Sequence, residues 1–247
     1  MAGGIGVVAV AMLGAIGTGL GERALDVLEG DEEKPLISHS AEELISQCGT
    51  DLFVPAPRAQ ALLSGEAPSP TDWSAFRSAN DATVSSPDAV EVSIQGESAR
   101  TVTLTRIEFD VDRRPRPAGL TFSNPCGGPI SGRFVAADLD RVPVRVISSA
   151  DDPEAEYVPP GYQGPSYRPI RFPWTVSLTD SLLLYVIANT RDCLCTWRAG
   201  IHWRSGAKAG VLEIDNGGKG YRVAGTPPVP DYVRDTRTPS GWRRLAG

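Results

Sequence analysis

From residue 89 onward, apolar and polar side chains alternate with a period of two. Val90, Val92 and Ile94 take every second position, and a turn follows at Gly96-Glu97. Such alternation predicts a strand with one face in a core. Val102 and Leu104 continue it, whereas Ile107, Phe109 and Val111 run one position out of phase. The shift predicts a β-bulge. Residues 132–139, 142–147 and 172–178 read as three more strands, the last followed by a turn near Thr179-Asp180-Ser181. Residues 182–187 are the most apolar run and predict a central strand of one sheet.

In 193–203 the alternation puts Cys193, Cys195 and Trp197 on one face, with Trp203 on that face if the strand stays regular. Residues 211–214 and 221–223 flank Asp215-Asn216-Gly217-Gly218, a hairpin signal. Strands recurring every 8–12 residues or so, without helical stretches between them, predict an all-β domain over 90–226. The expected form is an antiparallel β-sandwich, Ig-like or jelly-roll-like.

Upstream the pattern is weaker. Residues 22–34 read as a helix or solvated stalk ending in Asp31-Glu32-Glu33. Residues 29–89 read as an irregular linker packed on the domain. Within them a short helix is expected from Ser40 as N-cap, with Glu43 at the capping-box position. Residues 61–89 are rich in Ser, Pro and Ala and predict an extended loop, which Trp73 and Phe76 would pin down by packing.

Arg113-Arg114-Pro115-Arg116-Pro117 reads as an exposed crossover whose three arginines suit an anion. Residues 151–168 form a long loop carrying Tyr157, Tyr162 and Tyr167, either a binding face or a cover over a sheet edge. The tail, 227–247, is proline-rich and basic, with Trp242 as its anchor.

Residues 2–21 carry no charge. Roughly 20 helical residues cross a bilayer core of about 30 Å, so this run is expected to be a transmembrane helix, with 1–28 as anchor and stalk. A cleaved signal peptide, with small residues at Gly17 and Gly19, and a glycine-rich tail are the competing readings. Gly17 and Gly21 form a GxxxG pair suited to helix packing. No Lys or Arg precedes the run, so the usual orienting charge is missing; a start further upstream would supply it.

Composition narrows the function. The net charge is −6 with a pI near 5.0, which argues against a nucleic-acid partner. The 26 Gly and 21 Pro fit many turns between short strands. His39 and His202 are the only histidines, too few for a His-based metal site or triad. Four cysteines, Cys48, Cys126, Cys193 and Cys195, behind an apolar N-terminal run predict two disulfides in an oxidising compartment. Cys193 and Cys195 share a strand face, so each is expected to reach Cys48 or Cys126, in either pairing. CxC plus two lone cysteines is poor zinc spacing.

No nucleophile elbow or P-loop occurs; Gly128-Pro129-Ile130-Ser131-Gly132 and Gly217-Gly218-Lys219-Gly220 lack the rest of either motif. Asp110/Asp112, Asp138/Asp140 and Glu213/Asp215 are carboxylate pairs at strand spacing. They read as solvated strand faces, with Ca²⁺ binding or glycoside hydrolysis as the sharper alternatives. Trp197 reads as core; Trp174 and Trp203 either pack or line a sugar platform.

Asn124-Pro125-Cys126-Gly127-Gly128, Phe134-Val135-Ala136-Ala137-Asp138-Leu139-Asp140 and Cys193-Leu194-Cys195-Thr196-Trp197 together resemble a group of uncharacterised actinobacterial membrane-anchored proteins. The resemblance covers about 90–225. It implies an N-terminal membrane segment and an extracytoplasmic β-rich domain, and implies no activity.

The expectation is therefore a single-pass cell-membrane protein with its β domain outside, or a secreted one after signal cleavage. It acts as a non-catalytic interaction or structural module without cofactor or metal. Its partners would be the membrane, through residues 2–21, and an envelope protein or glycan. A glycan or small-ligand module using Tyr157, Tyr162, Tyr167 and Trp203 is the first alternative, and a cell-envelope hydrolase the second.

Overall fold

The alternation in sequence reappears as alternating buried and exposed side chains. The computed structural model describes residues 36–44, 50–65, 72–124, 132–147, 167–226 and 230–245, the side chains of residues 167 and 168 excepted. All fall within one unit, Leu36–Gly247. In chain order the first strands are β1 (Ile37–Glu43), β2 (Leu52–Pro55), β3 (Thr83–Ser85), β4 (Asp88–Gly96), β5 (Val102–Pro115) and β6 (Gly119–Ser123). Next come β7 (Gly132–Asp138), β8 (Arg145–Ile147), β9 (Tyr167–Pro169), β10 (Trp174–Val176) and β11 (Leu182–Asn189). The last are β12 (Cys193–Ser205), β13 (Lys208–Ile214), β14 (Tyr221–Ala224), β15 (Tyr232–Arg234) and β16 (Trp242–Arg244). Between β2 and β3 lie helices α1 (Ala56–Ser64) and α2 (Trp73–Ala79).

The fold is mostly β, in two open sheets. One runs β1-β4-β11-β7-β8, with β9 also on β7. The other runs β10-β5-β12-β14-β3-β2-β6-β15-β16, with β13 also on β12. β11 is central in the first, as its apolar run predicts. Both sheets contribute to one core: Val90, Val92, Ile94, Leu184 and Val186 from the first, and Leu104, Ile107, Trp197, Ile201 and Val223 from the second. A second, smaller core gathers Leu62, Trp73, Phe76, Phe122 and Trp242.

Several expectations need correction. The sheets are mixed, not wholly antiparallel: β7–β11, β7–β9, β3–β14 and β6–β15 are parallel pairs. A parallel pair needs a long crossover, and the chain between β7 and β11 is long enough to make one. The helix expected from Ser40 is a strand over its described part. Ile37 opposes Gly96 and Glu43 opposes Val90 across the β1–β4 pair. A capping box contributes only about 1 kcal/mol, and seven residues of ladder with Ile37 in the core outweigh it. The 61–89 segment contains the end of α1, all of α2 and β3 rather than an extended loop. Trp73 and Phe76 are buried in it, as their packing role requires.

β5 runs on through Arg113-Arg114-Pro115, which oppose Cys195, Leu194 and Cys193, so that stretch is strand and not crossover. The phase shift in β5 is a bulge. His202 opposes Arg106 but Trp203 opposes Leu104, leaving Thr105 as the extra residue. The expected strand over 142–147 shrinks to β8, with Val142 outside it and 81% exposed.

The hairpin expected at Asp215–Gly218 is also replaced. β13 and β14 both run antiparallel to β12, opposite successive stretches of it, so they are one strand line interrupted by an excursion. The real two-residue turn is Gly206-Ala207, between β12 and β13. Gly206 has φ +59, the left-handed first position that a type II′ turn reserves for glycine.

Residues 2–21, Glu22 to Lys34, Cys48 and Cys126 lie outside the described residues. Among the described residues, no helix is long and apolar enough to cross a membrane.

Candidate functional site

Asp88 opens β4 on the face that carries Val90 and Val92 into the core, and it is 1% exposed. Glu43, opposite Val90, projects from β1 on that same face, diagonal to Asp88. The Trp197 indole N–H donates to Asp88 Oδ2 at 3.0 Å. Arg77 Nη1, from α2, donates to Glu43 Oε2 at 2.7 Å, while Glu43 Oε1 is buried without a hydrogen-bond partner. Tyr221 packs on Trp197, ring centroids 5.0 Å apart.

The electrostatics follow from burial. Desolvation, reinforced by the Glu43 charge, pushes Asp88 up to about 8, against the opposing pull of the Trp197 donor and Arg77. Burial thus favours the protonated acid at Asp88, because the charged form is the costly one inside a core. Desolvation also raises the Tyr221 phenol, and the Glu43 and Asp88 carboxyls add to it. The cluster thus binds a proton between the sheets. It is enclosed: Asp88 is 1% exposed, and the Glu43–Arg77 pair is only partly so.

A second polar array lies in the open. Arg106, Glu108, Asp110, Asp112 and Arg114 occupy alternate, exposed positions of β5. Arg106 and His202 both reach Glu108, at 2.8 Å each, and hold its carboxyl below the usual range. Arg114 pairs with Asp112 at 3.0 Å, and Arg198 approaches Asp110 at 3.7 Å.

The residues expected from sequence fall as follows. Cys193 and Cys195 are bonded to each other, which corrects the expectation that each reaches a distant cysteine. Their Cα atoms are 5.3 Å apart, within disulfide range and shorter than the ~6.6 Å of two fully extended residues.

Asp138 and Asp140 brace the turn after β7. Asp138 accepts the Asp140 N–H, and Asp140 accepts the Thr190 hydroxyl at 2.6 Å and the Arg191 N–H at 2.7 Å. Among the described residues no group of His, Cys, Asp and Glu suits a metal ion. Glu213 is exposed, and its carbonyl accepts from His39 Nε2 at 2.9 Å, joining β1 to β13. Trp197 is fully buried, whereas Trp203 is half-buried against the core. Arg133 sits over the Trp174 ring at 4.9 Å. Tyr157 and Tyr162 lie outside the described residues, as does the Tyr167 side chain.

Glu43 and Asp88 are the functional candidates that sequence reasoning misses. Their proximity depends on β1–β4 register, and the capping-box reading assigns Glu43 a different role. Comparison with family models, curated proteins and solved structures finds no match to the chain.

Proposed function

We propose that the chain is a non-catalytic interaction or structural module, tethered in the cell membrane by residues 2–21 and displaying its β domain on the extracytoplasmic side. The observation that carries this reading is the β5–β12 ribbon. Its inner face is packed in the shared core, and its outer face presents an exposed charged ladder. Such a surface offers recognition at long range and low desolvation cost.

We read the two facing sheets as a β-sandwich of the Ig-like or jelly-roll-like kind, since one apolar cluster joins them. The uncharged run 2–21 and the resemblance to actinobacterial membrane-anchored proteins support the tether and the topology.

The test is fractionation of cells expressing the full chain, with non-reducing mass spectrometry of each fraction. The expected result is a membrane-bound chain with oxidised cysteines, cut by protease added outside and released by deletion of residues 2–21. Free thiols on a cytosolic chain would overturn the reading.

A further inference from the structure

β5 has one paired edge and one open edge. β12 pairs with residues 103–115, whereas on the other side β10 reaches only residues 102–104. Among the described residues no strand lies beside the outer edge of 105–115. Alternate residues there turn their N–H and C=O groups outward. At about 3.3 Å per residue the open edge is roughly 33 Å long.

Two features of this edge specify an occupant. On the inner face Phe109 and Val111 are half-buried against the core, as are Val144 and Val146 of the facing sheet. Arg113 fixes that neighbour in place, donating to the Leu139 and Arg141 carbonyls at 2.6 and 2.9 Å. On the outer face Glu108, Asp110 and Asp112 are three successive acids flanked by Arg106 and Arg114; those arginines hold Glu108 and Asp112, whereas the Asp110 side chain is 83% exposed, with Arg198 at 3.7 Å. An added strand would set every second residue over Phe109 and Val111, and the others beside the three acids.

We propose that the open edge of β5 docks an extended segment of another protein in which apolar and basic residues alternate. This rests on the reading of the chain as an interaction module. Backbone pairing along the edge supplies affinity, and the alternating side chains supply specificity. Two other occupants fit the charges poorly. Residues 151–156 of this chain, Asp-Asp-Pro-Glu-Ala-Glu, would set acid against acid. A second copy paired two-fold through Asp110 would set Glu108 against Asp112 and Arg106 against Arg114.

The test uses the full chain in mild detergent and two short synthetic peptides, one alternating Val and Lys, the other Val and Glu. Hydrogen exchange then reports on the outward-facing amides of 105–114, the alternate ones that do not bond to β12. The Val/Lys peptide is expected to slow them saturably and the Val/Glu peptide to leave them unchanged. Asp110→Lys is expected to weaken Val/Lys binding about tenfold with an unchanged melting temperature, since the side chain is exposed.

Equal protection by both peptides, or by neither, overturns the proposal. So do outward-facing amides already protected in the free monomer, which would mean the chain covers its own edge, and a dimer dispersed by Asp110→Lys, which would mean a second copy does. None of these results bears on the membrane tether, which the fractionation experiment tests separately.

Discussion

Trp197 on β12 donates its indole N–H to the Asp88 carboxyl on β4 at 3.0 Å, tying the two sheets together through their shared core. That carboxyl is pushed up to about 8, chiefly by burial, from an ordinary value of 3.8. Between those values the folded chain holds a proton that the unfolded chain has lost.

The consequence is a stability that depends on pH in a defined direction. Asp88 stabilises the fold fully below its unfolded pKa, and this contribution is lost as pH rises through about 8. The slope for one proton is at most about 1.4 kcal/mol per pH unit. Asp88→Asn removes the titration and keeps an oxygen for the indole. Denaturant unfolding across this range should show the wild type weakening with pH and the variant nearly level. Matching slopes in the two proteins would remove Asp88 as the cause.

Arg77 is the cation that Glu43 and Asp88 share. Its side chain is 22% exposed and that of Glu43 13%, so the pair is screened by little water. Arg77→Ala leaves Glu43 beside Asp88 without its donor and should cost about 2–3 kcal/mol, below the full range for a buried pair because some exposure remains. Glu43→Gln with Arg77→Ala should recover part of that loss. Chemical denaturation of the four proteins in a double-mutant cycle reads the coupling. Strict additivity would mean that the two side chains do not interact.

Gly225 is fixed by space rather than by backbone angle. Its N–H donates to the Cys193 carbonyl at 2.7 Å, and a Cβ there would run into the Arg191 carbonyl group. The obstacle is backbone, which cannot rotate away. Gly225→Ala should therefore destabilise by about 1–3 kcal/mol, measured as a lowered midpoint in urea. A variant as stable as the wild type would show that the β12 entry turn yields easily.

What the sequence reveals about this fold is its faces more than its partners. Val90, Val92 and Ile94, and likewise Cys193, Cys195 and Trp197, lie on the buried faces where period-two alternation puts them. The Thr105 bulge is visible as a phase change because a single extra residue inverts every side chain beyond it. Pairing between distant segments leaves no such trace. β1 has no strong strand pattern and becomes a strand because β4 offers it an edge. The Asp215–Gly218 signal marks a turn, with Asn216, Gly217 and Gly218 all at positive φ, but the strands on either side of it run in the same direction. The chain then returns to β12 on the same line, an outcome set by tertiary pairing. The Glu43–Asp88 cluster is invisible for the same reason, since neither carboxylate belongs to a local motif.

Trp242 closes the second core from the far end of the chain. It is 4% exposed and lies against Phe122 at 4.8 Å, Phe76 at 5.4 Å and Trp73 at 6.2 Å between ring centroids. The strand before it is clamped as well. Thr121 donates from its N–H and its hydroxyl to Asp231 Oδ2, at 2.8 and 2.9 Å, and accepts the Asp231 N–H at 2.8 Å. The C-terminal segment is thus part of the fold, and Trp242→Ala should cost about 3–5 kcal/mol. It should also open α1 and α2 to protease, because their buried faces pack on the same cluster. The indole nitrogen of Trp242 is buried without a hydrogen-bond partner, so Trp242→Phe loses packing area but no hydrogen bond and should cost clearly less. Urea midpoints and limited proteolysis of the two variants measure both effects. If Trp242→Phe proved as damaging as Trp242→Ala, a polar contact of the indole would have to replace ring packing as the explanation.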